Sequence, residues 1–423
     1  MPRNGLSLTR QSSRRAAAER LSLFGASMLE IPIRKMVPAA LAVALSLAGA
    51  AKGVTVRRVR VPEGGIQPQV VVDGRGTLHL IYYRGEARQG DVFYVYSRDG
   101  GASFSSPIRV NSQKGSAVAA GTIRGAQLAA GRGGRVHVVW NGSAIAVPKG
   151  PRDPENPAHP SAPMLYTRLD DSGRAFEPQR NLMRRTYALD GGGSVAADAA
   201  GRVYVAWHGK APGAVQGEAG RSVWIARSVD DGRTFSPERP AWGKPTGSCA
   251  CCSLRCFAGG HGRLFLLYRS ATEQVHRDIF VLVSKDRGDS FRGGRLHPWQ
   301  VSTCPMSSMA LAEGPQGVVG AWETQGQVYV AWLDAERPEQ SQPVAAPGPA
   351  QGRKHPALAV NQRGETILVW TEGTGWGKGG SLAWQVFGRD GGPLAQQGRE
   401  PGIPAWSFAA VFADPDGNFV ILY

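Results

Sequence analysis

Three copies of one eight-residue pattern organise this chain: Ser97 to Phe104 (SRDGGASF), Ser228 to Phe235 (SVDDGRTF) and Ser284 to Phe291 (SKDRGDSF). A turn that recurs in the form S-x-D-x-G-x-[ST]-F implies a supersecondary unit that recurs with it. Each conserved letter has a physical task. Asp99, Asp230 and Asp286 can accept hydrogen bonds from backbone N–H groups of their own turn. Gly101, Gly232 and Gly288 permit a positive φ. Phe104, Phe235 and Phe291 can pin the turn between neighbouring sheets. Degenerate copies stand at Asp171–Phe176 and Asp390–Gly392.

A second repeat runs between these turns: a glycine, then alternating apolar residues ending in an aromatic. Its markers are Gly76, Gly134, Gly201, Gly262, Gly317, Gly364 and Gly417, followed by segments such as TLHLIYY, RVHVVW and RVYVAW. Period-two alternation predicts half-buried strands, and the preceding Asp- and Gly-rich turns predict hairpins. The markers lie 47 to 67 residues apart, room for one four-stranded antiparallel sheet each. With 56 glycines and 29 prolines, and no long helical periodicity after residue 50, the chain reads as all-β. Seven markers predict seven sheets. The last would use strands near 406–412 and 418–423, closed by an N-terminal strand near 54–61. Pro148–Pro163 and Ala335–Lys354, both rich in proline, are expected to be long surface loops.

The turn signature resembles the Asp-box of sialidases and related β-propellers, over most of residues 54–423. The resemblance implies a propeller whose Asp-box turns lie on one face and whose ligand site lies on the other. Sialidases have six blades; the markers here count seven. The resemblance also implies an arginine triad that clamps a carboxylate, a tyrosine nucleophile supported by a glutamate, and an acid/base aspartate. On that pattern Arg124 and Arg269, with Arg84 or Arg277, would supply cations, Glu323 the support and Asp190 the acid. Arg277 and Asp278 fall in the loop between the second and third strands, on the same face. The family's N-terminal Phe/Tyr-Arg-Ile-Pro signature is missing, and no tyrosine stands out as nucleophile. The broader likeness is to exported bacterial Asp-box proteins in which a Cys-x-Cys-Cys element precedes one blade and Cys-Pro the next.

Several blades aim polar or soft groups at the expected ligand face. Arg84, Asn141, His208, Arg269 and Glu323 follow the second-strand aromatics directly, and Glu372 comes one residue later. Arg124, Asp190, Cys249 to Cys252, Cys304 to Met306 and His355 stand just before inner strands. Trp376 and Trp406 beside such groups would suit sugar stacking. The expected ligand is therefore a glycan or another acidic small molecule.

Four of the five cysteines crowd into Cys249-Ala-Cys251-Cys252-Ser-Leu-Arg-Cys256, and Cys304 follows one blade later. In an oxidising compartment disulfides are the default, with a strained bridge between adjacent Cys251 and Cys252 as one form. The alternative is a soft-ligand site. Cys249, Cys251, Cys252, Cys304 and Met306, completed by His208 or His355, would suit copper. There is no haem-attachment motif, and the spacing is atypical for zinc.

Residues 1–35 are rich in arginine, and Val37 to Ala48 form a short apolar run before the small residues Ala48-Gly-Ala50. This reads as a secretion signal over residues 1–50 with an extended basic region, leaving one propeller domain over 51–423. The run is too short to span a bilayer, so no transmembrane segment is expected in the mature chain. The localisation expected is periplasmic or extracellular. The whole chain carries a net charge of +16; residues beyond 50 still carry +11. Those charges are scattered, without a basic block, which argues against a nucleic-acid partner. Oligomeric state is not readable from the sequence.

Overall fold

The computed structural model describes residues 53–154, 157 and 161–423. The segment read as a secretion signal lies outside the described residues. Alternating apolar residues and tight Gly turns build a seven-bladed propeller. In six blades four consecutive strands pair antiparallel, so chain order equals order from the axis outward. Blade I uses Ile66–Val72, Leu78–Glu86, Gln89–Ser97 and Ile108–Arg109. Blade II uses Gln127–Ala130, Val136–Asn141, Met164–Arg168 and Arg180–Asn181. Blade III uses Ser194–Ala197, Val203–Gly209, Ser222–Ser228 and Arg239–Pro240. Blade IV uses Arg255–Ala258, Leu264–Arg269, Ile279–Ser284 and Arg292–His297. Blade V uses Met309–Gly314, Gly317–Thr324, Gln327–Trp332 and Val344–Ala345. Blade VI uses Arg353–Val360, Thr366–Glu372, Gly380–Phe387 and Pro393–Ile403.

Blade VII departs from the four-stranded expectation. Its two C-terminal strands, Ala410–Ala413 and Phe419–Leu422, are joined by Val56–Val59, which pairs in parallel with the second of them. This sheet therefore has three strands. The N-terminal segment runs alongside Phe419–Leu422 in the same direction, and Val61 N–H donates to the Tyr423 carbonyl at 3.1 Å to extend the seam. Arg58 adds an ion pair to Glu400 of blade VI at 2.9 Å.

The second strands are buried on both faces, where half-burial was expected. In Val203–Gly209, Val203, Val205 and Trp207 pack with blade II residues such as Val139 and Tyr166. Tyr204 and Ala206 point the other way, into Leu264, Leu266 and Tyr268 of blade IV. Alternation here sorts residues between two neighbouring blades rather than between core and water. Seven such apolar clusters, one between each pair of adjacent blades, complete the circle among the described residues. Trp140, Trp207 and Trp322 occupy equivalent places in three of them.

The Asp-box turns form as the residues dictate. Ser284 Oγ donates to Asp286 Oδ1 at 2.7 Å, Ser290 N–H to the same oxygen at 2.9 Å, and Gly288 N–H to Ser284 Oγ at 2.7 Å. Gly101, Gly232 and Gly288 have φ of 80°, 79° and 83°. A Cβ on Gly232 would collide with the Tyr166 hydroxyl, so glycine is required there sterically as well. Each phenylalanine pins its turn to the preceding blade: Phe104 to blade VII, Phe235 to blade II and Phe291 to blade III. In blade II the turn acid is Asp170, which accepts from Ser172 Oγ and Arg174 N–H; Asp171 instead pairs with Arg135. Ala335–Lys354 is also more ordered than a loop, since it contains the outer strand of blade V.

Burial alone would raise the Asp286 carboxyl, but the Ser290 and Ser284 bonds outweigh it and hold the group down at about 2. A carboxylate depressed in the fold stabilises above its ordinary range, and that stability is lost as pH falls through the folded value. Asp286→Ala should therefore lose about 1 kcal/mol, or roughly 1–3 °C in Tm, at pH 6. The gap in urea midpoint should shrink as pH is lowered from about 4 to about 2; a gap that does not change with pH would remove the carboxylate from the account.

Candidate functional site

Antiparallel meanders put the loops entering the inner strands, and those leaving the second strands, on the face opposite the Asp-box turns. Six of the segments that lead into the inner strands, counting the first residues of the strands themselves, carry a non-glycine residue in the left-handed region: Gln67 (φ 54°), Thr122 (60°), Ala188 (57°), Met306 (47°), His355 (52°) and Trp406 (64°). Such residues cost free energy and persist only where surrounding contacts over-determine them, which is typical of ligand sites. Those contacts are present. Gln67 Nε2 donates to the Ala119 carbonyl at 2.8 Å and the Trp406 carbonyl at 2.7 Å, tying blades I, II and VII. Gln67 N–H also donates to Ser407 Oγ at 3.0 Å. Lys354 Nζ donates to the Pro305 carbonyl at 2.7 Å, and His355 Nδ1 lies 3.2 Å from Ser308 Oγ, tying blade VI to blade V.

This ring frames a cleft lined by Thr122, Met306, Lys354, His355, Trp376 and Trp406, with Gly121 and Gly375. Trp376 is 55% exposed, and its ring stands edge-on to Trp406 at 4.9 Å. Below the ring runs the axial channel lined by the inner strands, and Arg255 lies in its wall. Arg255 Nε donates to the Met309 carbonyl at 2.8 Å and Nη2 to Gln69 Oε1 at 3.2 Å. Among the described residues no carboxylate pairs with it. Burial pulls its guanidinium down to about 10, still charged at neutral pH.

The arginines expected to form a clamp are already engaged. Arg124 forks onto Asp190, with Nε 3.1 Å from Oδ1 and 2.9 Å from the carbonyl. Arg269 is buried against Glu323 at 3.3 Å, the two side chains 1% and 2% exposed. Arg277 pairs with Glu218 at 2.6 Å, and Arg84 with Glu63 at 2.5 Å. Burial raises the Glu323 carboxyl, partly opposed by Arg269. Asp278 Oδ1 accepts from Trp299 N–H at 2.8 Å, fixing the end of blade IV. Glu372 is held between Arg353 and Arg399 and accepts from Trp370 Nε1. Asn141 donates to the Asp190 and Gly191 carbonyls at 2.9 and 2.8 Å, so it shapes the blade III loop rather than facing a ligand.

His208 serves the cysteine loop. Its Nε2 lies 3.0 Å from the Cys252 carbonyl, so that nitrogen carries the proton. Burial lowers His208 to about 4 and His355 to about 3, which makes both neutral at pH 7. Cys251 is bonded to Cys304, one blade away, so the bridge between adjacent cysteines does not form. Cys249, Cys252 and Cys256 are free thiols. The sulfurs of Cys249, Cys251 and Cys252 lie within 4.8 Å of one another, but one of them is committed to the disulfide. In this oxidation state the set offers two thiols, a weaker fit to copper than the five-ligand reading. Met306 lines the aromatic cleft. The Cys249 S–H donates to Cys252, and with the nearby Arg269 charge this overcomes burial and brings Cys252 down to about 7. The same bond to Cys252, together with burial, pushes Cys249 up.

Sequence reading missed Arg255, Lys354, Gln67, Thr122 and Glu218. Arg255 sits inside the cysteine segment, where the sulfurs drew attention. Left-handed backbone at Gln67 or Thr122 has no sequence signal when the residue is not glycine.

No protein-family model matches the sequence, and no curated protein does. Solved structures do resemble it. An α-L-arabinanase of Penicillium chrysogenum, complexed with arabinobiose, is 15% identical with a TM-score of 0.49, covering 78% of this chain and 95% of that one. The NanB sialidase of Streptococcus pneumoniae is 10% identical with a TM-score of 0.48, covering 81% and 70%. An α-L-arabinofuranosidase of Fusarium graminearum is 13% identical with a TM-score of 0.49, covering 77% and 93%. The resemblance is to sialidase- and arabinanase-type propellers.

A histidine lowered by burial leaves the folded state short of protons relative to the unfolded chain as pH falls below the ordinary histidine value. Stability should therefore drop between about pH 6.5 and about pH 4. In His355→Asn that drop should be shallower, read as urea midpoint against pH. Equal slopes would show that His355 is not the group responsible.

Proposed function

We propose that the ring and channel form a recognition site for an acidic glycan. The observation that carries this reading is Arg255, a half-buried cation in the wall of the axial channel that no carboxylate pairs with among the described residues. Lys354, whose Nζ donates to the Pro305 carbonyl, adds a second positive charge at the rim. The exposed face of Trp376, braced by Trp406, supports sugar stacking. Recognition is favoured over sialidase-type hydrolysis because Arg124, Arg269 and Arg277 are each neutralised by an acid. An unpaired triad is what a substrate carboxylate would require. The reading takes residues 1–50 as a secretion signal of the exported Asp-box type and places the site in the periplasm or outside the cell. Copper held by the cysteines is no part of this reading, because Cys251 is bonded to Cys304.

Titration calorimetry with N-acetylneuraminate and with oligogalacturonate tests the proposal. Binding should weaken as salt rises. Arg255→Gln should lose about tenfold in affinity, the scale of one charge-assisted contact. Trp376→Ala should lose several-fold, roughly 2- to 12-fold. Equal binding of a neutral oligosaccharide by wild type and Arg255→Gln would overturn the charge argument. Release of the reporter from a fluorogenic sialoside would move the assignment to a hydrolase.

A further inference from the structure

Four sulfurs line up from the interior of blade IV to the surface. Cys252 and Cys249 are each 1% exposed, Cys251 is half-buried and Cys304 is exposed. Cys249 Sγ lies 3.4 Å from Cys252 Sγ on one side and 3.3 Å from Cys251 Sγ on the other. Cys251 is in turn bonded to Cys304. A free thiol thus touches one sulfur of a disulfide, and a second free thiol touches the first. Cys256 is separate, packed in the apolar layer between blades III and IV.

This contact is held from several directions. Cys249 N–H donates to the Arg269 carbonyl at 2.9 Å, and Ala250 N–H to Glu218 Oε1 at 2.7 Å. Glu218 is itself anchored by Arg277 at 2.6 Å. The Cys252 carbonyl is engaged by His208, and Ser253 N–H donates to the Ser307 carbonyl at 3.3 Å, tying this loop to the one that carries Cys304. The residues that the sialidase resemblance cast as catalytic (Arg269, Arg277, Glu323) here surround a sulfur chain. Nothing in the ligand reading uses these sulfurs, so this site stands independently of it.

We propose that the chain Cys252–Cys249–Cys251–Cys304 is a thiol–disulfide relay that shifts one disulfide between the surface and the interior. Exchange proceeds by thiolate attack on a disulfide sulfur. In the first step Cys249 passes its proton along its hydrogen bond to the Cys252 thiolate as its sulfur attacks Cys251 Sγ; the Cys249–Cys251 bond forms, the Cys251–Cys304 bond breaks, and Cys304 leaves as a thiolate. In the second step the Cys252 thiolate attacks Cys249 Sγ, and Cys251 leaves as a thiolate. The protons given up by Cys249 and Cys252 are matched by those taken up at Cys304 and Cys251. One disulfide and two thiols are present before and after, so the relay itself needs neither oxidant nor reductant. Its product is a surface dithiol, Cys251 and Cys304, able to reduce an external disulfide. The fold thereby stores two electrons behind an exposed bond.

Native full-length protein, treated with N-ethylmaleimide at neutral pH without reductant and then peptide-mapped, tests this directly. Cys304 should become alkylated, with peptides linked through Cys249–Cys252 appearing in step. Cys252→Ser should stop after the first step, giving a Cys249–Cys251 linkage with Cys304 alkylated. Cys249→Ser should slow Cys304 alkylation at least tenfold, and Cys256→Ser should leave it unchanged. A wild-type map showing only Cys251–Cys304, with Cys304 never alkylated, would overturn the relay without any variant having to fold. So would stoichiometric bound metal with all four sulfurs reduced, which would make the cluster a thiolate metal site.

Discussion

Everything in this molecule hangs on one seam, the parallel pairing of Val56–Val59 with Phe419–Leu422. Six blades are closed by local hairpins, but the ring is closed only where the two ends of the described chain meet. An unclosed array would leave blade VII with an open strand edge and blades I and VII with exposed apolar faces. The seam covers both. Val61, Leu80 and Tyr82 join Phe412, Val420 and Leu422 in the layer it seals. Because the loops of the ligand face are bonded blade to blade, through Gln67 above all, their geometry holds only while the circle is closed.

Ring closure also explains how strained backbone is tolerated at the mouth of the channel. Gln67, Thr122, Met306, His355 and Trp406 each sit in a region that L-residues disfavour. Gln67, His355 and Trp406 are fixed by neighbours in other blades or loops. The same packing keeps His208 and His355 neutral and, among the described residues, leaves Arg255 charged without an acid beside it. The face therefore has two chemically distinct regions: an aromatic mouth around Lys354 and Trp376 above a channel that carries Arg255, and a sulfur chain at the entry to blade IV.

The engaged arginines show that a charge at the expected topological position is not thereby free to meet a ligand. Arg269 and Glu323 occupy the ends of second strands, where the resemblance expects catalytic groups. Both are nearly inaccessible and paired with each other. Arg277 and Glu218 act in the same way, bracing the cysteine loop from below. Charge at the right topological position is necessary for a ligand site, but its availability depends on what else reaches it.

The architecture was legible from residue patterns because its causes are local. The turn bonds of Asp99, Asp230 and Asp286 are made within eight residues, and alternation such as Val203 to Trp207 needs only a strand to express it. Counting those units yielded seven blades, and the closing strands fell where expected. What the chain could not disclose locally was decided by contacts between distant residues. Val56–Val59 closes the ring in parallel, as the third strand of its sheet, because of how the N-terminal segment meets the last hairpin. Cys251 bonds to Cys304 rather than to Cys252 because two inner loops are brought together across a blade boundary. Among the described residues Arg269 meets an acid and Arg255 does not, because the second strand of blade V carries Glu323 to Arg269, while Arg255 donates to the Met309 carbonyl and the Gln69 amide oxygen. Sequence determined the repeating unit through bonds made within it; tertiary structure decided which distant charges and sulfurs meet, since Cys251 and Cys304 are 53 residues apart and Arg269 and Glu323 are 54.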